Sequence, residues 1–360
     1  MTGKIRRVFP GGNTSKGFYS YYDNIIEKDA NRIFILKGGP GTGKSSLMKK
    51  IAKEMLGKGY DVEYHHCSSD NNSIDGIVIP KLRVAMIDGT APHVVDPKNP
   101  GAVDEIIHLG DFWDTKNMEE SKDKILYYIE NNSKFYKRAY KYFPAARLIQ
   151  EDIIWMNSEA QDFAKVNIET NKLINDIFGE LETSEKLGKE RHLFGSAYTP
   201  NGWIEYTDTL LEGLEVVYYI KGDYGTGKST LLEKVYKEAI ARGLYVEIHH
   251  TPLIPEKIET VIIKELSLAL TISKVAEKEN YKTIDLDQYL NKEILEKYKL
   301  NIEQDKQVYK QLIDIALSNI AAAKKNHDMI ETFYVPNMNF SEIEKLRDKL
   351  VKRILQYDKE

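Results

Sequence analysis

The amino-acid sequence predicts an α/β fold made of two copies of one unit. A glycine-rich pattern, G-x-x-x-x-G-K-S, occurs at residues 38–45 and again at residues 222–229. A short apolar run precedes each copy, and apolar residues at helical spacing follow it. Strands that alternate with helices are typical of parallel sheets, so we expect two domains built around parallel sheets.

The segments around each pattern predict a strand, a loop and a helix in that order. The strands are expected at residues 32–36 and 216–220, which are apolar and β-branched. Gly59 and Gly243 stand where a glycine commonly ends a helix. The apolar residues at helical spacing are Leu47, Met48, Ile51, Ala52 and Met55 in the first copy, and Leu231, Leu232, Val235, Tyr236 and Ala239 in the second.

The two halves match over a long stretch, which indicates an internal duplication. An offset of 184 residues relates Lys44 to Lys228, and nearly the same offset holds upstream and downstream of the pattern. Each half is expected to contain two later strands, at 61–66 and 82–87 in the first and at 245–250 and 266–272 in the second. The predicted domains are residues 1–187 and 188–360, with long helical arms at about residues 118–181 and 286–357.

The repeated pattern predicts a phosphate-binding loop, or P-loop, in each half. Glycines let the main chain wrap a di- or triphosphate, and the next helix points its positive end at the phosphates. Lys44 and Lys228 would reach the β- and γ-phosphates, while Ser45 and Ser229 would hold Mg²⁺. The predicted nucleotide-binding residues are Gly38, Gly39, Pro40, Gly41, Thr42, Gly43, Lys44, Ser45 and Ser46, and Gly222, Asp223, Tyr224, Gly225, Thr226, Gly227, Lys228, Ser229 and Thr230.

The two predicted sites differ in one carboxylate. Asp88 ends an apolar strand in the first half, where an acid commonly orients Mg²⁺. The matching position in the second half is Thr271 or Ile272, neither of which carries a carboxylate. Asp223 also adds negative charge to the second loop. We therefore expect hydrolysis mainly at the first site, and a second site that binds nucleotide and regulates.

The segment after Asp88 is a candidate for contact with a substrate. It leaves the carboxyl end of a strand, which is where open α/β sheets bind ligands. His93, Asp96 and Asp104 could contact a substrate or position a water molecule, and we place His93 with Lys44 and Asp88 in the catalytic set. A proline-rich connection with polar turn residues is the alternative.

Three further groups of polar residues could suggest a metal site, a phosphate-binding arginine or a nucleic-acid partner. Glu63-Tyr64-His65-His66 recurs as Glu247-Ile248-His249-His250, but neighbouring side chains on a strand point to opposite faces, which disfavours a shared metal. An arginine that acts on the phosphates would come from Arg6, Arg7, Arg83 or Arg191. A basic helix face formed by Lys134, Lys137, Arg138 and Lys141 leaves nucleic acid open as a partner without favouring it.

Composition favours a cytoplasmic protein. A net charge of −4 gives no general attraction to nucleic acid or to an anionic membrane. Cys67 is the single cysteine, so neither a disulfide framework nor a cysteine metal site is expected. No apolar run approaches the roughly 20 residues that span a bilayer, and no signal region is expected.

The chain resembles a little-characterised bacterial family of duplicated P-loop ATPases. The resemblance rests on the paired loops, the run from Ile87 to Pro97 and the repeated Glu-x-His-His, and it covers nearly the whole chain. It implies ATP as the ligand and a cytoplasmic location, and it supplies no second substrate.

Three functions are compatible with these patterns. The first is Mg²⁺-dependent ATP hydrolysis that moves one half against the other through the helical arms, with an unknown second substrate or a protein bound through the arms as its partner. The second is a small-molecule or nucleotide kinase with residues 89–111 as its acceptor site. The third is a nucleotide-gated binding module with negligible turnover. Gly89 after Asp88 favours kinase-like or switch-like chemistry over a motor-type ATPase.

Overall fold

The computed structural model describes residues 2–90 and 94–358, and these form an α/β structure. Strands β1 to β8 of the first half span Ile5–Val8, Gly11–Thr14, Gly17–Ser20, Arg32–Lys37, Val62–His66, Ile74–Ile79, Val84–Asp88 and Asp104–His108. Helix α1 spans Lys44–Gly57 between β4 and β5, and after β8 come α2 at Thr115–Glu120, α3 at Lys122–Ala160 and α4 at Phe163–Phe178.

The second half repeats this order. Strands β9 to β16 span Glu190–Leu193, Ser196–Thr199, Gly202–Glu205, Val216–Lys221, Val246–His250, Ile258–Ile263, Leu268–Thr271 and Lys282–Asp285. Helix α5 spans Thr207–Leu211 before β12, and α6 spans Lys228–Ala241 after it. The last helices are α7 at Lys292–Tyr334 and α8 at Phe340–Leu355.

The described residues form two six-stranded sheets, ordered β1-β5-β6-β7-β4-β8 and β9-β13-β14-β15-β12-β16. The prediction of parallel sheets is wrong in part, because β6 and β14 run antiparallel to both of their neighbours. The cause is the connection from β6 to β7, a single 3-10 turn that ends at Arg83 with φ 50°. A parallel pair needs a crossover of a dozen or more residues. A turn this short therefore permits only an antiparallel pair.

The last helix of each half packs on the opposite half. Helix α4 places Val166, Leu173 and Phe178 in one apolar core with residues of α6 and β12 to β15. Helix α8 places Leu350 and Ile354 in the core formed by α1 and β4 to β7. The predicted domain boundary between residues 187 and 188 stays a prediction. It assigns α4 to the first domain and α8 to the second, although each helix packs on the sheet of the other half.

Two long helices carry this exchange. Bridges join Trp113 to Met338 and Gln161 to Leu290, so α3 begins where α7 ends and the two helices run antiparallel. They pack along their length through small and apolar residues, which include Ala139, Ala316 and Ile320. Both predicted arm segments are therefore largely helical, and the two arms pack against each other.

The sheets meet near their edge strands β1 and β9. Phe9 and Phe194 exchange main-chain hydrogen bonds of 2.9 and 3.0 Å across this contact. Behind it lies an ion cluster of Arg6, Arg191, Glu63 and Glu247, in which Arg191 and both glutamates are buried.

This ion cluster accounts for the repeated glutamate of Glu-x-His-His. Burial alone would raise the pKa of Glu63, but Arg191, His65 and Arg6 together hold it well below its usual range. Glu247 is held low in the same way, mainly by Arg6. Each glutamate therefore pairs with one arginine from each half, and these ion pairs join the two halves.

In the part of the chain that the structure describes, no helix is both long and apolar enough to cross a membrane.

Substitution of Phe178 tests the exchanged packing. Its ring is 1% exposed and lies in the second core, so Phe178→Ala should destabilise the second half by about 3–5 kcal/mol. Hydrogen exchange at β12 and β15 should accelerate. The control is Ile168→Ala on the same helix, where the side chain is 68% exposed and little change is expected. Unchanged exchange in Phe178→Ala would contradict this packing.

Candidate functional site

Loop 1, residues 38–45, and loop 2, residues 222–229, have matching conformations. Gly41 and Gly43 in loop 1 have φ of 71° and 87°, and Gly225 and Gly227 in loop 2 have φ of 82° and 97°. These left-handed angles favour glycine. Each loop is closed by a threonine hydroxyl that donates to a main-chain carbonyl three residues earlier.

The loop lysines are folded back onto their own loops. Lys44 Nζ donates to the carbonyl oxygens of Gly38 and Gly39 at 2.7 and 2.8 Å. Lys228 Nζ contacts the carbonyls of Gly222 and Asp223 in the same way. Burial lowers the pKa of Lys228 to about 8. A cation thus lies within each loop at the first turn of a helix.

The loop serines contact the antiparallel strands. Ser45 Oγ accepts a hydrogen bond of 3.1 Å from the Ile74 N–H, and Ser229 Oγ accepts one of 3.1 Å from the Ile258 N–H. Each hydroxyl keeps its own O–H and a further lone pair. The starts of β6 and β14 are therefore fixed beside the two loops.

Asp88 lies beside Lys44, as the sequence suggests. Strand β7 is hydrogen-bonded directly to β4, with Leu36 opposite Asp88. Asp88 Oδ2 is 3.6 Å from Lys44 Nζ, and Oδ1 accepts from the Thr90 N–H at 2.9 Å. Lys44, Ser45 and Asp88 are thus brought to the carboxyl end of two neighbouring strands.

The register corrects one comparison between the halves. Ile35 is opposite Ile87, and Tyr219 is opposite Thr271, so Thr271 corresponds to Ile87. The counterpart of Asp88 is therefore Ile272, and the pairing of Asp88 with Thr271 is wrong by one position. The carboxylate is still absent from that strand end in the second half.

A pocket of about 1140 Å³ surrounds loop 2. Lys228, Ser229 and the acid Glu259 line it, together with the aromatic side chains of Trp203 and Tyr224. Asp223 is paired with Lys306 of α7, at 2.8 Å between Nζ and Oδ2. Burial opposes ionisation of Asp223, but the Lys306 contact leaves its pKa below the usual value.

Each site contains a buried acid that the sequence patterns did not single out. Asp75 on β6 is 7% exposed and Glu259 on β14 is 5% exposed. Burial raises the pKa of Asp75 to about 7, and Asp88 acts in the same direction. Burial and the nearby Glu205 raise the pKa of Glu259 to about 8. The 184-residue offset relates the two acids, so the signal was present in the sequence alignment of the halves.

The segment after Asp88 has mainly structural contacts. Asp96 pairs with Lys37 at 3.0 Å. Asp285 pairs with Lys221 at 3.0 Å, but in strand register it corresponds to His108 and not to Asp96. Asp104 is buried and accepts from the Lys98 N–H at 2.8 Å. His93 lies outside the described residues, and its assignment stays a prediction.

The predicted basic groups lie away from the loops. In residues 2–90 and 94–358, none of the four arginines forms a hydrogen bond or ion pair with loop 1 or loop 2. Arg6 and Arg191 belong to the ion cluster, Arg7 bonds to His66, and Arg83 bonds to Asp29. The basic residues of α3 form the expected exposed face, which comprises Lys134, Lys137, Arg138 and Lys141.

Each loop is held by helices of the opposite half. Asn157 Nδ2 donates to the Tyr224 carbonyl at 2.8 Å, and Gln161 Nε2 donates to the Thr226 carbonyl at 3.0 Å. At loop 1 the neighbours are Tyr334 and Phe340: a Cβ added to Gly39 would lie 2.3 Å from the Tyr334 ring, and one added to Gly43 would lie 3.3 Å from the Phe340 ring. The ends of α3 and α7 therefore touch the loops directly.

The described residues contain no group of three or more His, Cys, Asp or Glu side chains that could hold a metal alone. Magnesium is commonly held by one or two protein oxygens together with water and phosphate oxygens. The Ser45 hydroxyl and the Asp88 carboxylate fit that smaller donor set.

One family model matches part of the chain. The model described as Nephrocystin 3, N-terminal, matches residues 19–78, which include loop 1 and run from β3 into β6. Comparisons with curated proteins and with solved structures give no match.

Substitution of Gly41 tests the loop geometry. Gly41→Ala places a Cβ at a left-handed φ of 71° and 2.9 Å from Val335, so it should lower the free energy of unfolding by about 1–3 kcal/mol. Gly57→Ala is the control, because nothing lies within 4 Å of its added Cβ. Denaturant unfolding compares the two variants. Equal stabilities would contradict the loop conformation.

Proposed function

We propose that this protein is a P-loop nucleoside triphosphatase that binds ATP at both loops and hydrolyses it mainly at loop 1. The observation that carries the proposal is the convergence of Lys44, Ser45 and Asp88 where β4 and β7 end and α1 begins. The resemblance to duplicated P-loop ATPases supports ATP as the nucleotide and a cytoplasmic location.

The main chain and Lys44 would bind the phosphates. The N-terminus of α1 carries partial positive charge and unpaired N–H groups, which favour an anion. Lys44 now bonds to two carbonyl oxygens of its own loop. A bound β- or γ-phosphate would replace those neutral acceptors with charged ones, which form stronger hydrogen bonds.

Ser45 and Asp88 would hold Mg²⁺. When bound with the nucleotide, the ion would neutralise charge on the phosphates. The Ser45 oxygen has a lone pair beyond the one that accepts from the Ile74 N–H. Asp88 ends β7, the strand that pairs with β4 directly before loop 1. The Asp88 carboxylate, which contacts the Lys44 ammonium in this structure, would be the acidic ligand of the ion.

Loop 2 supports binding better than hydrolysis. Ile272 replaces the strand-end acid, so Ser229 would lack the partner that Asp88 provides at loop 1. Lys306 pairs with Asp223 and thereby offsets the negative charge that Asp223 adds to this loop. The aromatic side chains of Trp203 and Tyr224 offer faces on which a nucleobase could stack.

We favour hydrolysis over transfer of the phosphoryl group to an acceptor. Asp96 and Asp104, which would serve an acceptor site after Asp88, already pair with Lys37 and with main-chain N–H groups. The alternative is a nucleotide-binding module with negligible turnover. Measurement of phosphate release from ATP without an added acceptor separates this alternative from an ATPase.

Loss of each loop lysine tests the unequal roles of the sites. Lys44→Ala should lower phosphate release by about 10²–10³-fold, because it removes a donor to the transferring phosphoryl group. Lys228→Ala should remove one nucleotide-binding event and leave partial turnover. Calorimetry and phosphate release with ATP and Mg²⁺ measure the two effects.

The control is Lys53→Ala, which changes an exposed lysine on α1 and should alter neither value. Equal and complete loss of turnover in both loop variants would contradict unequal sites. Absence of nucleotide binding to the unmodified protein would contradict the proposed function itself.

A further inference from the structure

The pocket at loop 2 has an aromatic wall. Trp203 of β11 and Tyr224 of loop 2 line it, and these residues are 45% and 37% exposed. The ring of Trp203 packs edge-to-face on Tyr198, with 5.3 Å between the centroids. Pockets that hold small molecules commonly measure roughly 300–1,000 Å³. The pocket at loop 2, of about 1140 Å³, therefore has room for a ligand that extends from the loop to this wall.

The exposed tryptophan is a feature of the second half. Trp203 is the second residue of β11, as Phe18 is of β3 in the first half. The Phe18 ring packs against an apolar core and covers Gly11, where an added Cβ would collide with the ring. Ser196 begins β10 as Gly11 begins β2, so its Cβ excludes an aromatic ring from that place. Trp203 instead lines the pocket.

The opposite side of the pocket comes from the first half of the chain. Gln150 and Ile154, one turn apart on α3, line it. Helix α3 lies directly on loop 2, because a Cβ added to Gly225 would collide with the Ile154 carbonyl. Burial of the hydroxyl raises the pKa of Tyr224, and its neighbours Gln150 and Tyr309 oppose that rise. A ligand in this pocket would therefore touch both halves.

Gln150 supplies an unused hydrogen-bond acceptor. The residue is 7% exposed, and its Oε1 has no hydrogen-bond partner among the residues that the structure describes. The nearby hydroxyl groups of Tyr198 and Tyr309 are already joined by a hydrogen bond of 2.9 Å. An unpaired buried polar atom is unfavourable and commonly marks a place where a further partner binds.

The aromatic wall and the amide together match adenine. A nucleobase stacks on aromatic side chains, and the edge of adenine places an amino donor beside a ring nitrogen that a glutamine amide complements. Guanine and hypoxanthine carry a carbonyl oxygen in place of that amino group, which the Gln150 oxygen would repel. At loop 1, Pro40 stands at the position of Tyr224 and Phe18 packs on its core, so neither residue forms the same wall.

We propose that loop 2 is the base-selective site of the protein and that it binds an adenine nucleotide held by both halves. This inference rests on the proposed function. The phosphates lie in loop 2, the base lies against the rings of Trp203 and Tyr224, and Gln150 Oε1 accepts a hydrogen bond from the 6-amino group. Loop 1 binds mainly through the phosphates and the metal, and it discriminates less between bases.

Calorimetry of Lys44→Ala, which leaves loop 2 as the intact loop, tests this selectivity with ATP, inosine triphosphate and inorganic triphosphate. ATP should bind about 5–30-fold more tightly than inosine triphosphate, which leaves the Gln150 oxygen unpaired. Adding Gln150→Leu should weaken ATP and abolish the preference. Adding Trp203→Ala should weaken both nucleotides by about 5–100-fold, because stacking tolerates any base. Inorganic triphosphate should bind equally in each case.

The controls are Gln304→Leu, at an exposed glutamine of α7, and Trp155→Ala, at a tryptophan of α3 that is 51% exposed; neither should change any affinity. Absence of ATP binding in Lys44→Ala, or equal affinity there for ATP and inosine triphosphate, would overturn the inference. A preference that survives Gln150→Leu would also overturn it. So would loss of inorganic triphosphate in that variant, because Gln150 would then support the loop.

Each of these outcomes leaves nucleotide hydrolysis at loop 1 intact. Failure of the unmodified protein to bind any nucleoside triphosphate would instead refute the proposed function.

Discussion

The fold depends on an exchange of helices between the two halves: α4 of the first half is buried against the second half, and α8 of the second half is buried against the first. Each helix supplies apolar side chains to a sheet core that would otherwise be open on one side. Burial of apolar surface is the main favourable term in folding, so this exchange makes the stability of each sheet dependent on the other half of the chain. The antiparallel pair α3 and α7 is the physical connection that this exchange requires.

The same connection reaches both glycine loops. Asn157 and Gln161, at the end of α3, bond to carbonyl groups of loop 2, and Tyr334, at the end of α7, lies against loop 1. A phosphate that reorganises one loop would therefore act on the end of a long helix whose other end lies beside the opposite sheet. Coupling between two distant sites is commonly carried by rigid, packed elements of this kind. The ion cluster of Arg6, Arg191, Glu63 and Glu247 also joins the two sheets.

Local signals in the sequence were sufficient for the loops and for the strand and helix around each. Gly41 and Gly43 require left-handed angles, and Asp88 ends an apolar run, so their places follow from short-range chemistry. Strands β6 and β14 were not among the expected strands, and β6 runs antiparallel because it lies close behind β5 and joins β7 through one tight turn. The exchange of α4 and α8 depends on which apolar faces meet in space, and helical periodicity shows only that a face exists. Asp75 and Glu259 could have been found from the 184-residue offset, but their burial could not.

Hydrogen–deuterium exchange of the full-length protein, with and without ATP and Mg²⁺, tests most directly whether the loops bind nucleotide and act through the exchanged helices. Exchange should slow at residues 38–46 and 222–230, and also at residues 154–163 and 331–343, which belong to the opposite halves. No change at either loop would contradict nucleotide binding. Slower exchange confined to the loops would contradict the coupling through α3 and α7.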